Sequence, residues 1–530
     1  MDMQRKEQEI EMKWNSQQKK NVIYSVGINY GIYLLLHLFF YAVYECPLDE
    51  MMQAALCGVS GTKTGNILYS HVLIGWILRG LFAVLPFVNW YFAYLSACVI
   101  AALSVICYVI LRRTGNKIGL TVTVVLASFV GYECYILPGC MKTASVLGCA
   151  MLVVLADAAE SGAIRRRGRK AIVVCLAVLC SMVQFSVFLL TVVIGFAGLG
   201  VYYAVCGSDE FLLWIKKQKE NEMLRPLAVT GLCIFAAVAL LQAADYGVYR
   251  FVGQENAARY RSAAVRMYGY GMGDYNADYQ EKYGIDGAEY TAIRDGSFGV
   301  TGEAGWQKLI KLSKDGRKIS GERINNFFKT VPLALFERGI IYLWIVMLFL
   351  LFFSPMEGRA KMRLVWTQTG LILFVFLTVY LCNAWQNNWN AFVLILPVLS
   401  PLLLALKDAK ETEYQYLWVY LTVFSVILYS KFSSGMVSYV SEEKMSERFM
   451  ALDGDKVNVI DLNAYFKSFS AQRIYTANIL QIGNIRISNG AYALMEGFED
   501  CVFSAYPDGD NYEWVYNPKQ LSVGDLVFED

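Results

Sequence analysis

The stretch "VIYSVGINYGIYLLLHLFFYAVYECPLDE", residues 22–50, decides the class of this chain. From Val22 to Tyr44 no Asp, Glu, Lys or Arg interrupts the apolar run, which as a helix is long enough to cross roughly 30 Å of hydrocarbon. The run then stops around Pro47, and three carboxylates (Glu45, Asp49 and Glu50) crowd its end. Ahead of it lies "MDMQRKEQEIEMKWNSQQKK", polar and rich in Lys and Arg, and no small-residue cleavage site follows the run. A retained first transmembrane helix is therefore expected, with residues 1–21 as a cytoplasmic tail.

The same pattern recurs along the chain. Of 530 residues, 56% are apolar and only 17% charged, against about 25% in an ordinary soluble domain. With a mean hydropathy of +0.39, this composition specifies an all-α polytopic membrane protein. The net charge of +2 gives no field that would draw nucleic acid. Thirteen cysteines form no CxxC pair, and there are only two histidines, which argues against a structural zinc site. Cys46, Cys57, Cys134, Cys140 and Cys501 fall in or near external segments, so a disulfide among them stays open.

Spans are expected at about 22–44, 90–111, 118–136, 143–158, 227–246, 333–353, 364–382, 391–406 and 414–431. Residues 171–206 form one apolar stretch with basic flanks on both sides, "RRRGRK" and "IKKQK". A turn at the polar knot Ser181, Gln184, Ser186 makes two short helices and keeps both flanks on one side. Residues 66–90 contain His71, Arg79 and Pro86 and read as a helix lying in the external interface. The result is about eleven spans, with Lys and Arg gathered inside, the N-terminus cytoplasmic and the C-terminus extracytoplasmic. Within the transmembrane domain 22–431, the main external loops are 45–89 and 247–332. Residues 432–530 read as a small external α/β domain, with alternating runs such as "KVNVIDL", "YEWVY" and "DLVFE".

Soluble catalytic signatures (GxxxxGK[ST], GxSxG, HExxH) are missing. The acidic group after the first span is the leading candidate site. Asp49 and Glu50, held between a membrane edge and an interfacial helix, would be partly desolvated and hence more basic, suited to taking a proton from a hydroxyl. Spacing alone is equally compatible with an ordinary membrane-surface flank. Arg250, Arg259, Arg261 and Arg266 follow the seventh span, and Arg338 lies at the start of the eighth; guanidinium groups there could clamp a lipid phosphate or simply face headgroups. In "CNAWQNNWN" (382–390), Trp385, Trp389 and Asn388 offer ring faces and amides suited to sugars, or an aromatic belt.

This order of elements resembles the GT-C superfamily of membrane glycosyltransferases, in particular a bacterial branch of it. The resemblance rests on the span 22–44, on "ECPLDE" opening the first external loop, and on "YSHVLIGWILRGLFAVLPFVNWY" leading into the second span. It covers mainly residues 20–180. It implies transfer of a sugar from a polyprenyl-phosphate carrier to a glycan or other envelope acceptor outside the membrane, with an acidic first-loop residue as base. Asp49 matches that base by position, with Glu50 next, and His71 belongs to the matching segment. The donor is lipid-linked, no protein metal ligands are indicated, and a divalent cation is left open. Two departures stand out: the familiar aspartate pair is Asp-Glu here, and "WQNNWNAF" lacks the arginine often found before the late spans. A transporter or flippase of lipid-linked glycans, or a glycan polymerase or ligase, would share these substrates.

Overall fold

A computed structural model of the chain describes residues 2–44, 69–114, 116–206, 224–251, 275–287, 356–381, three strands between 457 and 516, and scattered positions elsewhere, Glu50, Gln53 and Cys57 among them. The described chain is mostly helical. Seven of its helices are long and apolar enough to cross a membrane. The expected spans 333–353 and 414–431 lie outside the described residues, as does more than half of 391–406.

Helix α1 (Asp2–Phe39) runs unbroken from the polar leader into the first span. The leader is built from Gln, Lys, Glu, Met and Arg, which favour helix nearly as well as the apolar run does. A short helix α2 (Val72–Val84) follows. Its 13 residues extend only about 20 Å, too little to cross a bilayer. Val72, Gly75, Leu78 and Phe82 face the bundle, while Trp76, Ile77 and Arg79 lie on the exposed side, the pattern expected of an interfacial helix.

Helix α3 (Trp90–Thr114) and helix α4 (Asn116–Gly131) pack on α1, and α4 ends in a π-helical turn over Tyr132–Ile136. Pro138 and Gly139 break the chain, and helix α5 (Cys140–Glu160) begins. It is the hub: 89% of its most apolar stretch is buried, against 17% for α1.

A tight turn through Gly162 (φ 69°) reverses the chain into helix α6 (Arg167–Val183). Gln184 then breaks the helix at φ −157°, and helix α7 (Phe185–Cys206) starts at once. The break is a reversal. Cys180 Sγ of α6 donates to Ala144 O of α5 at 3.1 Å, so α6 runs antiparallel to α5. Thr191 of α7 packs on Gly148, where a Cβ would sit 2.5 Å from its Cγ2, and Tyr203 donates to Glu160, so α7 runs parallel to α5. Helices α6 and α7 thus form a hairpin, with the start of α6 and the end of α7 at one end of the bundle; the flank "IKKQK" lies outside the described residues.

Helix α8 (Leu224–Phe251) packs on α6 and α2, a short helix α9 (Asp278–Tyr283) follows, and helix α10 (Gly358–Leu381) packs on α7, where Gln368 Nε2 donates to Gly198 O at 3.2 Å. Strands β1 (Val457–Asp461), β2 (Ile485–Ser488) and β3 (Tyr512–Tyr516) form a parallel sheet in the order β2-β1-β3. Two of them coincide with the alternating runs expected near 457 and 512. The run "DLVFE" lies outside the described residues.

Candidate functional site

Glu50 of the acidic motif is 3% exposed and sits on the N-terminus of α5. Its Oε1 accepts from Cys140 N at 2.8 Å and its Oε2 from the Tyr91 hydroxyl at 2.5 Å. Both contacts have a plain physical cause. The first backbone N–H groups of a helix have no partner within it, and the helix dipole favours a negative charge there. Tyr91, wholly buried at the start of α3, supplies the second donor and fastens the first loop to two helices at once. Tyr44, just beyond α1, accepts from Asn89 Nδ2 at 3.3 Å. Burial raises its phenol above the ordinary range, and nearby Glu50 pushes the same way, so it stays protonated.

A second polar layer surrounds Cys140. Its thiol donates to Gln184 Oε1 at 3.7 Å and accepts from Gln53 Nε2 at 3.9 Å, and Gln184 Nε2 donates to Ser186 at 3.2 Å. Gln184 therefore ends α6, turns the hairpin and joins the layer around Glu50.

From the hairpin apex the network passes to α2. Ser70 Oγ donates to Val183 O at 2.8 Å, and His71 N donates to Met182 O at 2.7 Å, which satisfies carbonyls left open at the end of α6. The His71 ring caps α2. Its Nδ1 accepts from Leu73 N at 3.1 Å, so Nε2 carries the proton and donates to Leu241 O of α8 at 2.8 Å. Asp245 Oδ1 accepts from Val72 N at 2.8 Å and lies 3.9 Å from His71 Nδ1. Each of these carboxylates, Glu50 and Asp245, is thus seated on a helix N-terminus. Tyr249 then bonds the carbonyl of Ile67, and the next residue, Arg250, is exposed in the last turn of α8.

Among the sequence-predicted site residues, Glu50, His71 and Arg250 come to this one end of the bundle. Asp49, Arg259, Arg338, Trp385 and Asn388 lie outside the described residues. His71 is buried, with both ring nitrogens engaged by protein groups. Tyr91, Cys140, Gln53 and Asp245 complete the arrangement. Cys140 carried a sequence signal as a cysteine near an external segment and Gln184 as part of the polar knot, while Asp245 lies near the end of an expected span. Among the described residues, Cys57, Cys134 and Cys140 are free thiols, and burial raises the Cys57 thiol well above its usual value. No group of three or more His, Cys, Asp or Glu side chains among the described residues is placed to hold a metal ion.

The opposite end of α5 is ionic. Asp157 pairs with Arg112, and with Arg113 Nε at 2.8 Å. Glu160 takes Arg113 Nη2 at 2.8 Å and the Tyr203 hydroxyl at 2.8 Å. Comparison with protein families, with curated proteins and with solved structures finds no match to the chain.

Proposed function

We propose that this protein is a glycosyltransferase of the GT-C type, moving a sugar from a polyprenyl-phosphate carrier to a glycan or other acceptor on the extracytoplasmic face of the cell membrane. The observation that carries the reading is the seat of Glu50. Glu50, the last residue of the acidic motif, is pinned at the bundle end opposite the basic turn and the ionic pairs, and the charge asymmetry of the sequence supports an outward placement of that end. Glu50 is committed to Tyr91 and to the α5 N-terminus, so it anchors the motif. Asp49, its neighbour in the chain, is the base that takes the acceptor proton. Arg250, with Arg259 and Arg338, would steady the phosphate, while Trp385 and Asn388 would meet the sugar. The reading includes eleven spans and an external α/β domain over 432–530 built around the three-stranded sheet.

Lipid extracts from cells test it by mass spectrometry. Deleting the protein, or introducing Asp49→Asn, should raise one polyprenyl-linked sugar, because transfer falls by about 100-fold or more when a catalytic base is lost. The variant should reach wild-type levels in the membrane. An unchanged lipid profile in both strains would sink the assignment.

A further inference from the structure

We infer that the turn between α5 and α6, together with the first turn of α6, is a binding surface for the phosphodiester headgroups of anionic phospholipids. This surface is independent of the proposed transfer reaction and lies at the other end of the bundle. Five cations fall within six positions there: Arg165, Arg166, Arg167, Arg169 and Lys170. Arg165, Arg166 and Arg167 are exposed. The turn is firmly placed, since Ile164 is fully buried and Arg169 lies over the Tyr108 ring, 5.7 Å from its centroid.

Two observations point outward for the partner. First, the carboxylates of residues 90–206 are engaged with other cations. Residues 90–206 contain three carboxylates. Glu133 pairs with Lys142 at the far end, and Asp157 and Glu160 hold Arg112 and Arg113. Among the described residues no carboxylate pairs with Arg166, Arg167 or Lys170. Helix stability does not account for them either, because cations at a helix N-terminus oppose its dipole.

Second, the face that continues from the cluster is apolar and open. Gly168, Ala171, Ile172 and Cys175 lie on one exposed side of α6, and Ile172 is 41% exposed. Acyl chains against that face put the arginines at headgroup level, where each cation near an anionic surface strengthens binding by about fivefold. A soluble anion would use the charges and leave the apolar face bare. Lipid uses both.

Native mass spectrometry of the full chain tests this, with phosphatidylglycerol or phosphatidylcholine added to the micelles. Wild type should retain phosphatidylglycerol in preference to phosphatidylcholine. The triple variant R165Q/R166Q/R167Q should bind phosphatidylglycerol on the order of 100-fold more weakly, and R165K/R166K/R167K should restore it. Arg79→Gln, at the other end of the bundle, should change nothing. Equal retention of the two lipids by wild type, or an undiminished preference in the glutamine variant, would overturn the proposal. Displacement of the lipid by inorganic phosphate alone would also overturn it, by showing a site for a free anion.

Discussion

The two ends of α5 solve the same problem with different chemistry. At the Asp157–Glu160 end, charges meet charges: two guanidinium groups, two carboxylates and the Tyr203 hydroxyl tie α3, α5 and α7 together. At the Cys140 end, a carboxylate is held by neutral donors, a phenol and a backbone N–H, with two glutamines and a thiol around it. The first arrangement is a strong clamp that leaves its charges neutralised. The second seats Glu50, the last residue of the acidic motif, on a helix N-terminus and a buried phenol.

Three substitutions break or sharpen this contrast. Asp157→Asn should be the most damaging, by about 3 kcal/mol, because Arg112 loses its carboxylate partner and Arg113, with a side chain only 8% exposed, keeps only Glu160. Unfolding titrated with SDS in mixed micelles would measure it. Glu50→Gln should cost about 2 kcal/mol in the same assay, since an amide replaces one of the two charged acceptors facing Tyr91 and Cys140 N. A larger loss for Glu50→Gln than for Asp157→Asn would invert the assignment of the stronger tie. Tyr91→Phe should be the mildest, about 1.5 kcal/mol, because it removes one donor and keeps the packed ring. No loss at all there would mean that the α5 N-terminus alone seats Glu50.

Local signals carried much of the helical layout. Helices long and apolar enough to cross a membrane are found near 90–111, 118–136, 143–158 and 227–246, because each rests on a long apolar run with at most one carboxylate. The interfacial helix was marked by His71, Arg79 and Pro86, and the hairpin by a polar knot between two basic flanks. Boundaries moved where propensity overrode hydropathy. Helix α1 begins far back in the polar leader and stops at Phe39, five positions short of the expected end. Helix α8 extends to Phe251, beyond the expected 246.

The site was legible only as a charge motif. That Glu50 would seat on Cys140, 90 positions away, depends on the turn at Pro138–Gly139 bringing a fresh helix N-terminus to the first loop, and no periodicity reports that. In the sequence His71 reads as part of an external interfacial helix and as a candidate for binding substrate. Its burial comes from capping α2 while bonding the carbonyl of Leu241 across 170 positions.

The α6–α7 hairpin has a consequence for the bilayer. Between Lys170 and Gln184, α6 offers residues 171–183 to the membrane interior, a length of about 20 Å. A typical hydrocarbon core is about 30 Å thick. Lipids beside this helix must therefore compress or tilt, at a cost of fractions of a kcal/mol for every ångström of mismatch. The mismatch is local to α6, because the seven longer helices, α3 with its 25 residues among them, are long enough to cross a full hydrocarbon core.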